Sequence, residues 1–178
     1  MEIRTRFPVV DAVMERFSDA LGRDRTGYFH HVVRLLNFYR ALSPDGDCPD
    51  EVVVAGAFHD LGIWTAGTFD YLAPSVQQAR ACLESEGHDA WLPEVQAIIE
   101  QHHKLTRYRG PLERTVETFR RADLVDVSLG LVRFGLSSAQ VREVRRAFPN
   151  AGFHRRLLAL TVRQFLRDPL HPLPMMRW

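Results

Sequence analysis

Apolar positions recur at intervals of three and four along nearly the whole chain. Val9, Val10, Val13, Met14, Phe17 and Leu21 form one stripe, ended by Gly22. From Tyr28 to Leu42, Val32, Leu35, Leu36 and Tyr39 repeat the pattern until the Ser43-Pro44-Asp45-Gly46 turn. Pro49 opens a third helix through Val52, Val53, Val54, Ala55 and Phe58 to about Gly62, apolar almost all round and therefore expected at the centre. The stretch from Ile63 to Pro74 reads as an ordered loop. Helices follow over about 74–86, 93–103 and 112–133. Ser137 and Gln140 have capping-box spacing for a helix reaching about Phe148. A last helix is expected over 152–167, before a tail made irregular by Pro169, Pro172 and Pro174. Valine-rich stretches could suit strands, but their period is near four, so the reading is all-α.

At 178 residues the chain has room for one domain with a sizeable core. A formal net charge of +1, from 23 basic and 22 acidic side chains, creates no global field for a nucleic-acid polymer or an anionic membrane. No apolar stretch reaches the length of a membrane span, and the first ten residues lack the apolar run of a secretory signal. Cys48 and Cys82, far apart and without CxxC spacing, read as reduced thiols. The expected location is the cytoplasm.

His59 and Asp60 stand at the end of the most apolar helix, where a carboxylate is costly unless something compensates it. A divalent metal would, since imidazole nitrogen and carboxylate oxygen both ligate first-row ions. Neighbours on a helix point about 100° apart and grip an ion only from one side, so other helices must complete the sphere. His31, near the start of the second helix, and Asp123, inside an apolar stretch of the sixth, are the candidates.

The order His, His-Asp, Asp resembles the HD-domain superfamily of metal-dependent phosphohydrolases. Tyr28-Phe29-His30-His31-Val32-Val33-Arg34-Leu35 is similar to its first motif, in which the ligand histidine precedes an arginine by three, favouring His31 over His30. Ala57-Phe58-His59-Asp60-Leu61-Gly62 is similar to the signature doublet, and Ala122-Asp123-Leu124 to the closing aspartate motif, favouring Asp123 over Asp126. The resemblance implies a single-domain HD-type helical bundle over 1–178, with an HD-type core at about 24–130 and C-terminal helices over 137–168 packed on it. It implies the metal ligands His31, His59, Asp60 and Asp123. Asp126 is left as either a supporting partner or a surface acid. His102 and His103 would form a polar rim over the metal or cap their helix, and Arg34 would contact phosphate or brace a ligand. The catalytic set is then Asp60, His102, His103 and Arg34. Lys104, Arg107, Arg120 and Arg121 could bind phosphate. Trp64, Phe69 and Tyr71 could line a pocket, and His88 is expected in solvent.

Many members follow the doublet with glycine and lysine, whereas Gly62 is followed here by Ile63 and Trp64. No glutamate occurs between the doublet and Glu84, which disfavours a 5′-nucleotidase. Ala73-Pro74-Ser75-Val76 lacks the histidine that opens the fourth helix of two-metal members, so one divalent ion (Mn, Fe, Co, Ni or Zn) is expected. The implied activity is hydrolysis of a small phosphate ester or nucleotide. Alternatives are an HD-type hydratase or di-iron oxygenase acting on a small non-phosphate molecule, and a degenerate domain that binds a nucleotide or partner without catalysis. The expected partner is a small-molecule substrate, with the oligomeric state open and a homodimer among the options.

Overall fold

The computed structural model describes residues 2–171 and 173–176. Among them are ten α-helices and no β-strand: α1 Pro8–Arg16, α2 Ser18–Leu21, α3 Arg25–Leu42, α4 Asp50–Phe58, α5 Gly62–Thr65, α6 Leu72–Glu86, α7 Leu92–Gln101, α8 Glu113–Val127, α9 Ser138–Ala147 and α10 Phe153–Arg167. No described helix is long and apolar enough to cross a membrane.

Two helices form the centre. In α4, every residue from Val52 to Phe58 is buried, as its unbroken apolar character requires. α3 was expected to bury one stripe, yet His31 to Tyr39 are all buried, Arg34 and Asn37 included. It is covered by α1, α4, α8, α9 and α10. Its polar residues are tolerated because each is paired. Asn37, for example, exchanges two hydrogen bonds with the backbone of Arg4, at 2.8 and 2.9 Å, which ties down the N-terminal segment. α7 packs on α4, α6 and α8, so α3, α4, α7 and α8 converge on one region.

Several ends differ from expectation. The first helix breaks at Phe17, which packs edge-on against Phe58. The doublet is followed by a turn and the short α5, so part of the expected loop over 63–74 is helical. α8 stops at Val127 rather than near Arg133. There the Gly130 N–H bonds Val125 O at 2.8 Å and the Leu129 N–H bonds Asp126 O at 2.9 Å, the paired bonds of a Schellman end. The left-handed residue at the usual glycine position is Leu129, and Gly130 after it is also at positive φ, so the glycine stands one position later than the ordinary stop signal. The capping box at Ser137 and Gln140 forms as expected. Pro169 and Pro174 lie in turns after α10, while Pro172 falls outside the described residues.

Gly62 sets the approach of α6. A Cβ there would lie 2.5 Å from Tyr71 O, and the Gly62 N–H donates to Ser75 Oγ at 2.9 Å. This contact places Tyr71 beside the chain that has just delivered His59 and Asp60.

Candidate metal centre

His31 comes from α3, and Asp123 from α8. His59 and Asp60 directly follow α4, and His102 directly follows α7. The carbonyl ends of α4 and α7 therefore lie at the site, where the helix dipole favours a cation. The four ligands implied by the family resemblance are brought together. His31 Nε2 lies 3.0 Å from His59 Nε2, 3.5 Å from Asp123 Oδ1 and 3.8 Å from Asp60 Oδ2. His59 Nε2 is 3.4 Å from Asp60 Oδ2 and 3.9 Å from Asp123 Oδ1.

The outer nitrogens fix the tautomers. His59 Nδ1 is 2.8 Å from Gly56 O, and His102 Nδ1 is 2.7 Å from Ile99 O. A carbonyl only accepts, so both Nδ1 atoms carry hydrogen. Each ring folds back on the carbonyl three residues earlier, satisfying part of an otherwise open helix end. His31 Nδ1 faces Asp126 Oδ2 at 2.7 Å. Burial works to raise the Asp126 carboxyl, but bonds from His31 and Arg34 outweigh it and hold the group well below the usual range. It is therefore an acceptor, and His31 Nδ1 is the donor. Burial also pushes His31 down to about 4, so the ring is neutral. The Nε2 atoms of all three rings consequently point inward.

His31 Nε2 and His59 Nε2 face each other at 3.0 Å beside Asp60 and Asp123. Asp60 Oδ1, Asp123 Oδ1 and His102 Nε2 are buried without a hydrogen-bond partner. Burial pushes Asp123 up to about 8, with Asp60 and Asp126 adding to the rise against the pull of His102. Orphaned acceptors cost about 1–3 kcal/mol each, more if charged. A divalent cation satisfies all of them at once, so the donor set fits such an ion. The imidazole and carboxylate donors suit a first-row metal.

Of the two roles open to His102, the structure shows the helix cap, through Nδ1 and Ile99 O, and not a rim. The residue is 3% exposed, and its Nε2 lies 3.5 Å from Asp60 Oδ1, which puts it with the ligand set. Asp60, His102 and His103 make a second grouping with ligand atoms within 4.8 Å of one another, alongside His31, His59 and Asp60. His103 does line the cavity, with Nε2 2.5 Å from Tyr71 Oη. Burial pushes His103 well below its ordinary range and Tyr71 well above, so both are neutral and hold one hydrogen between them.

Of the two roles open to Arg34, contact with phosphate or bracing of a ligand, the structure shows bracing, which corrects its place in the catalytic set. Arg34 is 1% exposed and lies behind His31. Its Nε and Nη2 grip both oxygens of Asp126 at 2.5 and 2.7 Å, and its Nη1 donates to Phe148 O at 3.1 Å. Asp126 is thus the partner that orients His31, not a surface acid. The spacing signals it: His31 and Arg34 are three apart on α3, and Asp123 and Asp126 are three apart on α8, so two adjacent turns meet. Lys104, Arg120, Phe69 and Tyr71 line the cavity. Arg107 and Arg121 do not, being paired with Glu113 and Glu117. Trp64 lies outside it too, with Nε1 donating to Asp24 and its ring against Tyr28. His88 is exposed, stacked on Trp91.

Compared with protein-family models, curated proteins and solved structures, the chain has no match.

Proposed function

We propose that the chain is a metal-dependent hydrolase of HD type acting on a small phosphate ester. The observation that carries this reading is the convergence of inward-facing imidazole nitrogens and two orphaned carboxylate oxygens at the floor of a cavity of about 330 Å³. His31, His59, Asp60 and Asp123 would hold the ion, with His102 close enough to join them. A bound divalent ion supplies Lewis acidity toward a phosphoryl oxygen and lowers the pKa of water to near neutrality. The protein's own groups do the rest. Asp60, which lines the cavity, would accept a hydrogen from the attacking water and so orient its lone pair. The Tyr71–His103 pair keeps a proton beside the floor for the oxygen that departs. Asp126 and Arg34 hold the His31 ring in place from behind.

The test is elemental analysis of the purified protein together with turnover of phosphate monoesters. One equivalent of a first-row metal and metal-dependent phosphate release are expected, and Asp60→Ala should lose both. A metal-poor Asp60→Ala protein with full activity ends the proposal.

The grouping of Asp60, His102 and His103 favours a second reading, in which two ions sit side by side and a small non-phosphate molecule is oxidised. Two irons per chain with substrate-dependent oxygen consumption would select it over hydrolysis.

A further inference from the structure

The walls of the cavity differ in chemistry from its floor. Its polar lining is concentrated at one end: Asp60, His102, His103 and Asp123, with Lys104 next to His103 and Arg120 one turn before Asp123. Arg120 is committed to Glu117 through two bonds, at 2.7 and 2.8 Å. Away from the floor the lining is apolar, with Phe69 beside a run of aliphatic side chains. α8 contributes Leu124 and Val127, α10 contributes Leu157 and Leu158, and Met175 and Met176 of the C-terminal segment close over them. The hydroxyl of Thr161, a polar group on the α10 wall, is turned back to donate to Leu157 O at 3.0 Å. A ribose or a base needs donors and acceptors along its edges, and a site without them leaves those groups unpaired, at about 1–3 kcal/mol each. The walls instead reward the burial of methylene groups, and about 330 Å³ stands at the small end of ligand pockets.

We infer that the substrate has a short aliphatic body lying along Leu124, Val127, Leu157, Leu158 and Met175 while its reacting group meets the histidine–aspartate floor. Resting on the hydrolase reading, the substrate class is the phosphate monoester of an apolar alcohol, and not a nucleotide. Water forms a bond to phosphorus as the bond from phosphorus to the alcohol oxygen breaks. The leaving oxygen takes a proton, and the products are the alcohol and inorganic phosphate.

The experiment uses the full chain loaded with the metal found in it and a homologous series of primary alkyl phosphates from methyl to octyl. The non-hydrolysable alkylphosphonates are titrated in parallel by calorimetry, with and without metal. Each methylene that enters the cavity should raise kcat/KM and phosphonate affinity about fourfold until the space is filled. Leu158→Gln, at a position 64% exposed and so tolerant of the change, should flatten that slope. A response independent of chain length overturns the inference, as does tighter binding of a nucleoside monophosphate than of hexyl phosphate. Phosphonate binding that strengthens with chain length, without turnover of any ester, supports the apolar body and overturns the hydrolase reading.

Discussion

His31 faces the site because Asp126 holds its other nitrogen, and Asp126 can stay ionised inside the protein because Arg34 grips both of its oxygens. Of these three residues only His31 faces the candidate metal site, yet the other two decide where its Nε2 lone pair points. Asp126→Asn keeps the shape and removes the charge, leaving Arg34 buried with its counterion gone. Metal affinity should fall about 10–100-fold, as for other partners of a ligating histidine, measured by competition with a chromophoric chelator. Stability should fall by about 3–5 kcal/mol in denaturant titrations. Unchanged metal affinity would remove Asp126 from the site. The sequence made the three-residue spacing of His31 and Arg34 legible, and with it the closeness of the pair. It could not say that the arginine turns toward α8 and away from the cavity, because that depends on which face of α8 packs on α3.

The segment between α7 and α8 carries His102, His103 and Lys104, and is held by Glu117. This carboxylate accepts from the Tyr108 N–H at 3.0 Å and from Arg120 and Arg121, while Arg120 also donates to Lys104 O at 3.2 Å. Burial alone would raise the Glu117 carboxyl, but these donors bring it down to about 2 from an ordinary 4.5. A carboxylate lowered on folding contributes stability that is full above its unfolded value and is lost as pH falls through its folded one. The melting temperature of Glu117→Gln should therefore lie below that of the parent above pH 4.5, with the gap closing toward pH 2. A gap that does not vary with pH would mean that Glu117 acts through packing alone. Helix identity was readable from periodicity along the chain, since α3, α4, α6 and α7 all lie where the apolar repeat puts them. Their ends were harder. α8 stops six residues early because Leu129 takes the left-handed position that a glycine ordinarily marks, and α5 forms in a stretch whose glycine and aromatic residues read as loop.

For the whole molecule, the centre is a place where folding brings together groups that repel one another. Asp60, Asp123 and the Nε2 atoms of three histidines share a buried space, with Asp60 Oδ1, Asp123 Oδ1 and His102 Nε2 left without a hydrogen-bond partner. A divalent ion that binds the folded state alone would then stabilise the protein strongly. Metal at about a thousandfold over its Kd should add about 4 kcal/mol, and so raise Tm by roughly 8–16 °C. Chelator should reverse the shift, and a protein indifferent to both would contradict the site. By itself the sequence determined the helical class, the buried α4 and four residues able to meet at an ion, since these follow from periodicity and from the cost of burying a carboxylate, here with the support of a family resemblance. The inward turn of His102, the withdrawal of Arg34 and the aliphatic walls supplied by α10 and the C-terminal segment were decided by tertiary packing. Side-chain direction at a helix end, and the meeting of segments far apart in the chain, depend on which surfaces touch, and no local pattern of residues carries that information.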